Sequence, residues 1–123
     1  MKYVDGFVVP VPKRKVSAYR AIARKACEVW LDHGALDYVE AVADDVKWGK
    51  WTSFPRSIKQ KKGETVVFAW IVYQSRKHRD RVNAKVMKDK RLAAMGSPQD
   101  MPFDVKRMIF GGFKTIVQPR GRK

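Results

Sequence analysis

The chain has 123 residues and carries 27 Lys and Arg against 12 Asp and Glu, for a net charge of +15. A hydrophobic share of 45% excludes a disordered chain, and one domain of this length can bury a core without a metal or a disulfide. No apolar run approaches the roughly 20 residues that span a bilayer, and the single cysteine, Cys27, cannot form an internal disulfide, so the expectation is a cytoplasmic protein with no membrane partner.

Residues 2–9, KYVDGFVV, are rich in β-branched and aromatic types and predict a strand that stops at Pro10 and Pro12. Asp5 and the two prolines interrupt the apolar stretch, which argues against a signal peptide. From Lys13 the period changes. Val16, Tyr19, Ala23, Cys27 and Trp30 recur at steps of three and four, which predicts an amphipathic helix. Gly34 is placed to terminate it, with His33 as a C-capping residue.

Residues 35–44, ALDYVEAVAD, alternate in polarity, so Leu36, Tyr38, Glu40 and Val42 share one face of a second strand. Residues 45–63 read as a long loop, with room for a short element or a function of its own. Residues 64–73, ETVVFAWIVY, are apolar on both faces, so both faces of this third strand are expected to be covered. Ser75 is an N-cap candidate for a helix reaching about Lys90. Residues 91–104 are irregular. A last strand is expected over 105–117, with Gly111-Gly112 marking a bulge or a close backbone approach. Residues 1–117 therefore form one domain, and 118–123 are read as a flexible basic tail.

The order β-α-β, loop, β-α-β is the pattern of two split βαβ units. It predicts an α+β, ferredoxin-like βαββαβ fold with a four-stranded antiparallel sheet and two helices on one face. Two helices cover only one side of such a sheet. The alternating Val66, Phe68, Trp70, Val72 and Val67, Ala69, Ile71, Tyr73 leave a second apolar face, for which a second copy of the chain is the simplest cover.

The stretches YVDGFVVPVP, HGALDYVE, ETVVFAWIVY, RDRVNAKVM and MPFDVKRMIFGGF resemble the YbaA-like family, bacterial proteins of unknown function. The resemblance runs from about Tyr3 to Phe113. It implies a dimeric α/β barrel, in which two ferredoxin-like sheets pack together and often enclose a pocket. It implies no catalytic residue.

Several residues stand out chemically. Asp5 and Glu40 interrupt apolar strand faces, and a buried carboxylate needs a cation or donors. Arg107, near the last strand, is expected to pair with Asp5 across neighbouring strands. Arg79 and Asn83 lie one turn apart beside the apolar stripe of the second helix, where Asn83 would bond loop backbone or contribute to a pocket. Together with Tyr38, these make Asp5, Tyr38, Glu40, Arg79, Asn83 and Arg107 the pocket candidates, set against an ordinary structural role for each.

The second helix also carries Lys77, Arg81, Lys85 and Lys88 on one side. That stripe is either a solvated face or a nucleic-acid grip. Four phosphate contacts would give a salt slope of roughly −3.6 on a log–log plot. Trp48 and Trp51 in KWGKW would stack bases or pack over a dimer edge. His78-Arg79-Asp80 imitates a kinase catalytic loop, but Asn83 follows after two residues rather than four and no Gly-rich loop accompanies it. Cys27 belongs to the core stripe, and His33 and His78 have no third ligand, so no metal and no cofactor is expected. Three functions stay open: a homodimeric barrel with a small-ligand-binding or weakly catalytic pocket, a binder of RNA or another polyanion without sequence preference, and a structural dimer with a filled interior.

Overall fold

The structure, a computed structural model, describes residues 1–120. Four strands form one antiparallel sheet: β1 (Tyr3–Pro12), β2 (Asp37–Val42), β3 (Glu64–Tyr73) and β4 (Ile109–Lys114), in the order β2-β3-β1-β4. That is the ferredoxin-like order. Helices α1 (Val16–Asp32) and α3 (Arg76–Met87) connect the strands and cover one face. Short helices α2 (Phe54–Ser57) and α4 (Lys90–Ala93) complete the set.

Local chemistry explains the boundaries. Ser75 caps α3, its Oγ accepting from the His78 N–H at 3.1 Å. Asp89 caps α4 in the same way through Arg91 N–H at 2.8 Å. Gly34 follows α1 with φ 109°, a conformation that a Cβ disfavours. Within the long loop, Ser53 Oγ accepts from the Arg56 N–H at 3.2 Å and Pro55 sits in the first turn, so α2 forms where the sequence suggested only a loop.

Two strand boundaries differ from expectation. β1 runs through Pro10 and Pro12, which pair with Val66 and Glu64. The ladder to β4 ends at Val8, so beyond it β1 has an open edge, where a residue without an N–H costs little. β4 begins only at Ile109, because Val105–Arg107 close into a 3₁₀ turn capped by Asp104. The Gly111-Gly112 pair keeps a continuous register with Gly6 and Asp5, so it is a close approach and not a bulge. Past β4, Thr115 N–H donates to Lys2 O at 3.2 Å and Lys2 N–H donates to Gln118 Oε1 at 3.1 Å. The expected basic tail at 118–123 is thus tied down at its first residue, and 121–123 lie outside the described residues.

Odd-numbered residues of β1 and β3 face the helices. Ile71 and Tyr73 pack with Val29, Val82 and Val86, while Val9, Val11 and Val67 pack with Tyr19. The opposite face carries Val4, Val39, Phe68, Trp70, Val72, Ile109 and Phe113, aligned by the strand register. Only its Val8–Val66 corner is sealed, by the buried Ile58 that follows α2. Phe68 remains 42% exposed and Phe113 63% exposed, and Trp70 is half-buried. Both faces of β3 are apolar, as expected, but one chain covers one of them.

Candidate functional site

The strand alternation puts Tyr38 and Glu40 of β2 on the helix side, opposite Ile71 and Ala69. There Glu40 meets two phenols. Tyr38 OH donates to Glu40 Oε2 at 2.7 Å, and Tyr19 OH, from α1, donates to Oε1. Burial first, and the Glu40 charge second, push both phenols above their ordinary range. They therefore stay protonated and keep donating at neutral pH. Among the described residues Glu40 has no Lys, Arg or His ion-pair partner.

Glu40 forms part of the wall of a cleft of about 280 Å³ between the sheet and its cover. Phe7, Ala69 and Ile71 make the floor. Ala23, Ala26 and Trp30 of α1 make one wall. The other comes from the irregular segment after α4, through Met95, Met101, Phe103 and Met108. Glu40 is the sole charged residue among those lining the cleft. The alanines are decisive here: a larger residue at 23 or 26 would fill the space that two small ones leave open.

The segment closing the cleft is pinned at both ends by charge. Arg91 bridges Asp89 at 2.9 Å and Asp32 at 2.7 Å, and His33 Nε2 lies 2.8 Å from Asp89. At the far end Arg107 donates to Glu64 at 2.9 and 2.6 Å, to Asp104 at 2.9 Å and to Lys59 O at 3.1 Å. The Arg107 hydrogen bonds hold the Glu64 carboxyl below its ordinary range. Arg107 was expected to meet Asp5, and it does not. Asp5 pairs with Gly112, five positions further along, whereas Arg107 lies in the 3₁₀ turn before β4 begins. Arg107 anchors the wall and is absent from the lining of the cleft.

Asp5 instead sits beneath α3. Its carboxylate is 3.8 Å from Arg79 Nε, too long for a hydrogen bond; the Asp80 carboxylate is nearer that buried Nε, at 3.3 Å, but not aligned to accept from it. Burial raises the Asp5 pKa above its ordinary value, with Arg79 opposing. Arg79 also donates to Tyr3 OH at 3.1 Å and packs 5.1 Å from the centre of the Tyr3 ring. Asn83 does not bond the loop backbone. Its Oδ1 accepts from Trp30 Nε1 at 3.1 Å and from Tyr73 OH at 3.4 Å, which orients the Trp30 ring in the cleft wall. The six sequence candidates therefore separate. Tyr38 and Glu40 line the cleft, Asn83 and Arg107 hold its walls, and Asp5 with Arg79 forms a neighbouring polar cluster. Tyr19, the second donor to Glu40, was read from the sequence only as a core residue. Its phenol gave no local signal, since its partner lies 21 residues away.

Lys77, Arg81 and Lys85 on α3 and Lys88 at its C-cap are all exposed. Trp51 is 82% exposed, with Lys50 Nζ 5.5 Å from the centre of its ring, and Arg56 packs 5.6 Å from the centre of the Trp48 ring. Among the described residues no group of His, Cys, Asp and Glu is placed to hold a metal ion, and no helix is long and apolar enough to cross a membrane.

The family model for "Protein of unknown function (DUF1428)" matches residues 2–105. The chain is 50% identical over 117 residues to "Uncharacterized protein YbaA" of Escherichia coli strain K12, covering 95% of this chain and 98% of that one. The same figures hold for the protein of that name from Shigella flexneri. Among solved structures, "De novo designed protein Foldit4" aligns over 96% of this chain and 100% of its own at 13% identity, with a TM-score of 0.43. The chain belongs to the DUF1428 family of YbaA-like proteins.

Proposed function

We propose that this protein is a small-molecule-binding homodimer whose ligand occupies the cleft beside Glu40. The observation that carries the reading is a carboxylate held by two phenols in an otherwise apolar, unfilled cleft. Burying a charge in apolar surroundings is costly, and a core serving packing alone would place an apolar residue at position 40. An apolar hollow with a few convergent polar groups is the usual form of a ligand site. The site lies on the helix side of the sheet, so each protomer has its own.

A panel of small aromatic and aliphatic compounds tests the reading by calorimetry against the wild type and Ala26→Trp. The added indole is expected to fill the cleft and abolish binding while the circular dichroism spectrum is kept. Compounds that bind both proteins equally would place their site elsewhere, and a panel with no binders would remove the reading.

The homodimer is supported by the uncovered apolar sheet face, which a two-fold pairing of sheets would bury. Sedimentation at micromolar concentration is expected to give twice the 14.2 kDa chain mass. Trp70→Glu, which places a charge in the middle of that face, is expected to give monomers. An unchanged mass in the variant would rule out this interface.

A further inference from the structure

Resting on the cleft proposed above, we infer that its ligand is a small organic ammonium ion: a primary amine on an apolar, preferably aromatic, body. Two phenols donate to Glu40, whereas a carboxylate has about four acceptor positions. Acceptor capacity therefore remains on a carboxylate with no ion-pair partner among the described residues. The chemistry that completes such a group in an apolar hollow is a cation with N–H donors.

The rings lining the cleft point the same way. Phe7, Tyr19, Trp30, Tyr38 and Phe103 all line the cleft. Trp30 and Tyr38 lie 6.1 Å apart between ring centres, and Tyr19 and Phe103 lie 5.5 Å apart, edge to face. A cleft lined by aromatic rings and holding one carboxylate is suited to an ammonium group, which rings attract through their π faces. Asn83 fixes the Trp30 ring at 3.1 Å, so the wall is set before a ligand arrives.

Size narrows the class. A cleft of about 280 Å³ has room for roughly nine water-sized groups at about 30 Å³ each. That is room enough for the body of an arylethylamine. The net charge of +15 opposes the approach of any cation, so selection for an ammonium ion would have to come from the cleft itself and not from the general field.

Three probes that share a 2-phenylethyl body test the inference by calorimetry: 2-phenylethylammonium, 2-phenylethanol and 3-phenylpropionate. The ammonium ion is expected to bind at least tenfold tighter than the alcohol, and the carboxylate not at all despite the positive protein. Glu40→Gln keeps a hydrogen-bonding side chain between the tyrosines and removes the charge. It is expected to melt within a few degrees of the parent and to bind ammonium and alcohol alike. Should that variant fail to fold, Ala26→Trp provides the second arm, with ammonium binding expected to disappear. Equal binding of ammonium and alcohol by the wild type would overturn the ammonium class while leaving the cleft as a ligand site. Binding of none of the three would overturn both. Preference for the carboxylate, unchanged in Glu40→Gln, would overturn the inference in favour of attraction by the basic surface.

Discussion

Gly111 and Gly112 are adjacent in β4, yet Ala at the two positions is expected to act in opposite directions. A Cβ on Gly112 points to the helix side, where it meets the Tyr3 hydroxyl and lies 2.9 Å from Arg79 Nη2. To make room, Tyr3 must swing away from Arg79, breaking a 3.1 Å bond and the packing of the guanidinium against the ring. Overpacking costs about 1–3 kcal/mol and a lost hydrogen bond to a charged group about 1.5–3 kcal/mol. Relief from glycine in a strand returns about 0.5–1 kcal/mol. The net is a destabilisation of about 2 kcal/mol or more, or roughly 8 °C in Tm for a domain of this size. A Cβ on Gly111 points to the other face and finds only Phe113 at 3.8 Å, an ordinary contact. Gly111→Ala is therefore expected to be neutral or to raise Tm slightly. Differential scanning calorimetry separates the two. Tyr3→Ala empties the contested space, so Gly112→Ala made in that background should cost little, a coupling that a double-mutant cycle reads directly. If Gly112→Ala melts with Gly111→Ala, the close approach of Tyr3 and Arg79 to the strand is refuted.

Asp5→Asn is expected to raise Tm at pH 7. Burial raises the folded-state pKa of Asp5 above its ordinary 3.8, so its ionised form is penalised above that folded pKa and the penalty fades as pH falls toward 4. The advantage of Asn should shrink over the same interval; an advantage that grows on acidification would mean that Arg79 dominates the site instead. Replacing Lys77, Arg81, Lys85 and Lys88 together by Gln is expected to leave Tm within a few degrees, since exposed substitutions change stability by about 0.5 kcal/mol or less each. The parent should bind RNA and DNA weakly and release both as salt rises through about 0.2 M, as followed by fluorescence anisotropy. A sequence-selective complex that survives high salt would put nucleic-acid recognition first.

The order of elements was legible because each is coded locally. The steps of three and four from Val16 to Trp30, the alternation around Tyr38 and Glu40, and Ser75 before α3 each need only a few neighbours to be read. What the sequence concealed depends on distant partners. Arg107 has a carboxylate within reach in the chain at Asp104, but its partner Glu64 is 43 residues away and becomes available only once the Val105–Arg107 turn shortens β4. The Glu40 carboxylate stood out as an acid on an apolar strand face, whereas Tyr19 looked like any core residue on a helical stripe. The helix α2 was hidden by its length: four residues show no period, and only Ser53 with Pro55 marks its start. The cleft itself is written in Ala23, Ala26 and three methionines, residue types that signal packing until the space between them is seen.

Methionine methyl groups give the most direct test of that space. Of the five methionines, Met95, Met101 and Met108 line the cleft, while Met1 and Met87 are 72% and 64% exposed and absent from its lining. In a carbon-13 methyl-methionine spectrum titrated with 2-phenylethylammonium, the first three signals are expected to shift together along one saturable isotherm and the other two to stay fixed. Shifts of Met1 and Met87 with the cleft methionines unmoved would contradict the assignment of this cleft as the ligand site.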